Sequence, residues 1–239
     1  MTELTTDTIL ARLQRLENPR LYDADSKRKP KAAPALWWEL ASLQDVAVPT
    51  LRQIWQPVYT LLPATMEEVE TTLVGTAVLA ETGEKPSLLY LFRYESSGNP
   101  TFFRGYPPVI PDDIPARWQG IWARLPEDFR QLYAVHNGWY ALLSRSGGHL
   151  PLAEWSLLSD EEWSLEREIA AALPFAPDKM LLVCRYGGGG YLGFALPDSG
   201  EVIPVAWRTQ QASQLEQNIP FFARYDQMTS GNFAEFSLR

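Results

Sequence analysis

The sequence predicts an α+β fold in which helices pack on an antiparallel sheet, and three stretches carry that expectation. Residues 125–138, LPEDFRQLYAVHNG, place Phe129, Leu132, Tyr133 and Val135 on one helical stripe. Cys184–Trp207 holds two apolar runs broken by Gly187–Gly190 and by Pro-Asp-Ser-Gly, which reads as strand, turn, strand. Residues 71–106 hold three β-rich runs, Thr71–Leu79, Ser87–Tyr94 and Thr101–Tyr106, separated by ETGEKP and ESSGNP in the manner of a meander. Helix is the alternative for Met66–Ala80.

The remaining elements follow in chain order. Ile9, Leu10, Leu13 and Leu16 share one face of a first amphipathic helix over residues 6–17, which Asn18-Pro19 ends. Pro19–Pro34, with Lys27, Arg28, Lys29 and Lys31, reads as an exposed linker, and a short helix is expected over Leu36–Val46. The proline-dense joint YPPVIPDDIP, Tyr106–Pro115, suggests a boundary between an N-terminal region of helices and meander, 1–110, and a C-terminal α+β domain, 111–239. Beyond it a helix is expected over Ala116–Arg124. A second one opens at Pro126 with Glu127 and Asp128 in its first turn and stops at Asn137-Gly138. Ser159, Asp160, Glu161 and Glu162 have the form of a capping box for a helix that buries Leu165, Ile169, Ala172 and Leu173. The apolar run Met180–Cys184 precedes the glycine hairpin, and a last helix covers Pro220–Met228.

The four glycines invite a phosphate-loop reading. Such a loop leads into a helix whose first amides meet the anion, usually with a lysine and a Ser or Thr behind, and here a strand follows instead. Positive-φ freedom in a hairpin explains them.

With 29 acidic against 21 basic side chains the net charge is −8, which repels nucleic acid and anionic membrane alike and suits a basic partner. The opening MTELTTDTIL lacks the basic and apolar regions of a secretion signal, and no apolar run reaches membrane-spanning length, so a cytoplasmic location is expected. Cys184 is the only cysteine; with two isolated histidines it offers no metal-ligand spacing, and no metal or cofactor is expected. His136 stands at a helix stop, where a structural role suffices. His149 lies in a turn near Ser144 and Ser146, without a nucleophile elbow. Cys184 sits in an apolar frame as a buried thiol. Carboxylate pairs leave enzyme chemistry open as one class, beside a non-catalytic regulatory interaction module and a toxin-neutralising binder.

Residues 114–236 resemble the SUKH superfamily, whose members are mostly immunity proteins of bacterial toxin systems. The resemblance rests on Leu125, Pro126, Glu127 and Asp128, on Asn137-Gly138, on Leu150, Pro151, Leu152, Glu154 and Trp155, and on Tyr186–Leu196 with Gly200, Glu201 and Val202. It implies helices on an antiparallel sheet, no catalytic residues, and direct cytoplasmic binding of a cognate toxin domain with a basic surface. Residues 151–170 carry six acids and one base. With Leu165, Ile169, Ala172 and Leu173 inward, Asp160 and Trp163 face outward with Glu166 at the flank, so Trp163, Glu166, Asp160 and Glu162 are the expected partner contacts. Trp155, Tyr186 and Tyr191 complete the expected surface.

Overall fold

The computed structural model describes residues 5–93, 100–161, 167–211 and 213–237. β2 (Leu73–Ala80), β3 (Ser87–Arg93) and β4 (Pro100–Gly105) pair antiparallel, in line with the meander reading. Strands this apolar bury both faces: Leu88, Tyr90 and Phe92 point to one side, Leu89 and Leu91 to the other. Each side therefore has a cover. α1 (Thr6–Arg12) sets Ile9, with Leu13 just beyond it, on Leu79, Leu89, Leu91 and Phe102. α2 (Ala35–Leu40), α3 (Val48–Trp55) and α4 (Pro63–Thr72) bring Trp37, Trp55, Met66 and Val69 to the opposite face.

Several boundaries differ from the sequence expectation. α1 stops at Arg12 rather than near Glu17, with Leu16 still packed on its cluster. The expected linker contains a strand, β1 (Arg20–Tyr22), paired with β2. α2 ends at Leu40 because β2 captures the carbonyls beyond: the Thr76 hydroxyl donates to Leu40 O at 2.5 Å and Thr76 N to Ser42 O at 2.7 Å. The helical alternative for Met66–Ala80 applies only as far as Thr72, where α4 passes straight into β2.

Past the joint come α5 (Ala116–Arg124) and α6 (Glu127–Val135), the latter burying the predicted stripe. Then follow β5 (Trp139–Ala141), β6 (Ser146–His149), β7 (Ser156–Leu157), α7 (Arg167–Ala172), β8 (Met180–Tyr186), β9 (Gly190–Ala195), β10 (Ile203–Arg208), β11 (Leu215–Gln217) and α8 (Phe221–Ser237). The glycine hairpin forms as expected, with Gly188 and Gly189 at φ of 74° and 72° between the paired Tyr186 and Gly190. Ser159 and Asp160 do not open a helix. They lie in a tight turn over Leu158–Asp160, where the Asp160 carboxylate accepts from Leu157 N at 3.1 Å.

All the strands form one antiparallel sheet, in the order β1-β2-β3-β4-β5-β6-β8-β9-β10-β11, with β7 added on β8. β4 pairs with β5 through Phe103–Ala141, Arg104–Tyr140 and Gly105–Trp139. The sheet thus crosses the Tyr106–Pro115 joint, and one aromatic core runs from Trp37 and Trp55 to Phe129, Trp155 and Phe221. The boundary expected between 1–110 and 111–239 divides neither sheet nor core. Its prolines exclude regular structure within the joint but leave the flanking strands free to pair.

A second tie joins the two halves. The first amides of α4 have no local side-chain cap, and the Asp226 carboxylate of α8 takes their place, accepting from Ala64 N at 3.0 Å and Thr65 N at 2.7 Å.

Candidate binding cleft and the buried histidine chain

Strand alternation sends neighbouring residues of β3, β4 and β5 to opposite faces, and each face carries a polar system. On the helix-covered side, the His136 ring packs on Gly105 so closely that a Cβ there would stand 2.5 Å from Nδ1. Its Nδ1 lies 2.9 Å from the Tyr106 carbonyl, an acceptor only, so the proton is on Nδ1, and Nε2 accepts from the Tyr90 hydroxyl at 2.7 Å. Tyr90 in turn accepts from Trp55 Nε1 at 3.2 Å. His149 is the opposite tautomer: Nε2 donates to the His136 carbonyl at 3.0 Å and Nδ1 accepts from the Tyr225 hydroxyl at 2.9 Å. Burial pushes His136 down to about 3 and His149 down to about 4, so both rings are neutral. His136 therefore holds its place as a neutral, doubly bonded ring rather than as a cation at a helix end. The buried Cys184 thiol is pushed up, again by burial, into an inert form.

The other face is covered only in part. α1 and its cluster extend as far as Leu16 and Leu142, and beyond them opens a cleft of about 630 Å³. Its floor is cross-strand: Arg104 and Tyr140 lie side by side on β4 and β5. Arg104 is 5% exposed. Its guanidinium pairs with Glu81, which follows β2, while Nε donates to Ser87 Oγ at 3.1 Å and Nη1 to the Tyr106 hydroxyl at 3.1 Å. Burial holds the Tyr140 hydroxyl in its protonated form, with Tyr106 and Glu154 adding to the effect. Two more ion pairs stand at the mouth: Lys85–Asp113 at 3.0 Å links the β2–β3 turn to the proline joint, and Arg145–Glu154 at 2.5 Å links the β5–β6 turn to the segment after Pro151. The walls offer fixed hydrogen-bond donors and acceptors, a constellation suited to recognition.

The two exposed large hydrophobics among the described residues belong to the segments that line this cleft. Ile110, 56% exposed, is in the joint, and Leu143, 55% exposed, is in the β5–β6 turn. Isolated exposed hydrophobics are ordinary, but these two fall within a few residues of chain from cleft-lining positions, Ile110 between Pro107 and Asp113 and Leu143 between Leu142 and Arg145.

Of the partner contacts expected from sequence, Asp160 is exposed and Tyr186 is half-buried beneath Arg208, whose guanidinium lies 5.7 Å from its ring. Trp155 is not a surface residue: it is 1% exposed, packed on Trp118, Trp122 and Phe129, and donates Nε1–H to the Tyr133 hydroxyl at 2.7 Å. Tyr191 is likewise buried, against Trp207. Trp155 is drawn inward by the aromatic side chains of α5 and α6, and Tyr191 lies on β9, a strand buried along its whole length. Glu162, Trp163 and Glu166 lie outside the described residues. The cleft itself escaped the sequence reading, although TFFRGY carried a signal: Arg104 occupies the same face as Phe102, a position that a buried strand normally gives to an apolar side chain.

Among the described residues no group of His, Cys, Asp and Glu is arranged to hold a metal ion, and no helix is long and apolar enough to cross a membrane. The chain matches no family model, no curated protein and no solved structure.

Proposed function

We propose that this chain is an immunity protein, of the kind the SUKH resemblance implies, that neutralises a cognate bacterial toxin domain in the cytoplasm by direct binding, without catalysis or cofactor. The observation that carries the reading is the cleft, whose pre-paired polar floor is bordered by chain segments that also expose Ile110 and Leu143. Exposed apolar side chains on segments around an ordered polar centre are the composition of a protein interface. The net charge of −8 favours a partner with a basic surface and disfavours nucleic acid and anionic membrane. The placement of the reactive side chains agrees with a binding role: His136, His149 and Cys184 are all sealed away from the cleft.

The test is co-expression in a bacterial host with the toxin domain encoded beside it, scored by growth and by co-purification. Rescue with a stable complex supports the reading; a toxin left fully active by the folded protein overturns it. Rescue that persists when no complex can be isolated, together with chemical change in the toxin or its product, would point instead to an enzyme.

A further inference from the structure

We propose that the cleft receives an extended, neutral-to-basic peptide segment of the partner, bound through its backbone to Arg104, Tyr106 and Asn137, with one apolar side chain seated on Leu143. The inference rests on the reading above that the chain is a binding protein, and it names which part of the partner enters and what holds it.

The charges of the walls decide the class of occupant. Glu81, Glu84, Asp113 and Glu154 stand against Lys85, Arg104 and Arg145, an excess of one negative charge, so a strongly anionic ligand meets no unmatched cation. A compact, strongly cationic ligand would have to compete with Arg104 for Glu81 in a pair whose side chains are both more than nine-tenths buried. A peptide backbone is neutral and presents donors and acceptors in alternation, and the cleft supplies both. Arg104 donates Nε–H to Ser87 and an Nη1 proton to Tyr106, pairs with Glu81, and lines the cleft with N–H groups beyond those two hydrogen bonds. Asn137 commits its Oδ1 to Leu152 N at 2.9 Å, and its amide N–H groups remain to donate. The Tyr106 hydroxyl and the rim carboxylate of Glu84 supply acceptors. A volume of about 630 Å³ lies within the range of clefts that enclose ligands of this kind.

The rim supplies the anchor. Leu143 is carried on a turn in which Arg145 has a φ of 51°, a left-handed conformation that arginine rarely adopts, with its guanidinium tied back to Glu154. Arg145 lines the cleft, and Leu143, two residues before it in the same turn, is exposed.

The experiment selects a random dodecapeptide display library on the full-length protein and measures the enriched peptides, made synthetically, by fluorescence anisotropy. Peptides of zero to positive net charge with an apolar residue are expected, and Leu143→Asp and Tyr106→Phe should each weaken them by about tenfold or more. Leu143 is exposed and Tyr106→Phe removes one hydroxyl, so both variants are expected to fold, with circular dichroism as the check. Enrichment of acidic peptides, equal binding by wild type and both variants, or no enrichment overturns the proposal. Toxin neutralisation that survives both substitutions also overturns it while the immunity reading stands. Peptide capture by a protein that rescues no toxin keeps the cleft and removes the immunity reading.

Discussion

Arg104 and Gly105 are consecutive residues of one strand, and they face the two polar regions of the molecule. Gly105 meets the His136 ring in a sealed interior, where every polar atom of the chain Trp55–Tyr90–His136–His149–Tyr225 is answered by a neutral partner. Arg104 meets Glu81 at the floor of an open cleft, where the partners are charged and solvent is near. Covering explains the difference. α2, α3, α4, α6 and α8 exclude water from one face, and the histidine chain there persists as uncharged, mutually hydrogen-bonded groups. α1 covers the other face incompletely, and ions are tolerated where its cover ends. Histidines, the most versatile groups for catalysis, are thus on the closed side, and the charged, paired groups of the cleft are on the open one.

Acid should break the closed side first, and this is the largest effect expected. The rings stay neutral in the folded chain down to about 3 for His136 and about 4 for His149, whereas the unfolded chain takes up protons near 6.5. Between those values the unfolded state binds more protons, so stability present above 6.5 is lost as pH falls, by up to about 1.4 kcal/mol per pH unit for each ring. Urea unfolding at steps from pH 7 to pH 4 reads this directly. A flat profile would mean that charge is accommodated at the rings, and the contrast between the two faces would fail.

Gly105→Ala attacks the same face sterically. The added carbon would lie 2.5 to 2.7 Å from three ring atoms of His136, a ring fixed by hydrogen bonds at both nitrogens. A loss of about 3 kcal/mol is expected, at the upper end for overpacked cores. Differential scanning calorimetry checks it. A loss below about 1 kcal/mol would show that the ring can yield.

Asp226→Ala probes what holds the halves together. It removes the tertiary cap of α4 and leaves the amides of Ala64 and Thr65 without their acceptor, which should cost about 2 kcal/mol. With one core across the joint, this variant should melt in a single transition. Two resolved transitions would restore the division near Tyr106–Pro115.

These residues also show what the sequence could and could not reveal. The continuous apolar run at Ser87–Arg93 and the stripe of α6 were legible because each is a local pattern of apolar residues. The glycine hairpin was legible because two successive positive φ values demand glycine. The cap from Asp226 to α4 joins residues more than 160 positions apart, and no local pattern announces it. The joint misled because proline reports on its own backbone and is silent about whether the strands on either side pair. Trp155 misled similarly: its place in a motif gave its neighbourhood, while its burial depends on Trp118, Phe129 and Tyr133 arriving from two other helices. The cleft lies between elements drawn from both halves, so only a single interrupting arginine in β4 pointed toward it.

The smallest effect sharpens the open side, because at Arg145 two modest terms oppose each other. The left-handed backbone costs a non-glycine residue roughly 1–2 kcal/mol, and asparagine bears that conformation more easily. The ion pair to Glu154 returns little, about 0.2–1 kcal/mol for side chains 59% and 24% exposed. Arg145→Ala keeps the backbone cost and loses the pair, so it should destabilise by about 0.5 kcal/mol. Arg145→Asn loses the same pair but relieves the backbone, so it should be neutral or stabilising by a similar amount. The difference between the two variants, about 1 kcal/mol in urea unfolding, measures the strain at this turn independently of the charge. If Ala and Asn instead behave alike, the turn relaxes freely, and Arg145 is then held at the cleft mouth by Glu154 alone rather than by a strained backbone.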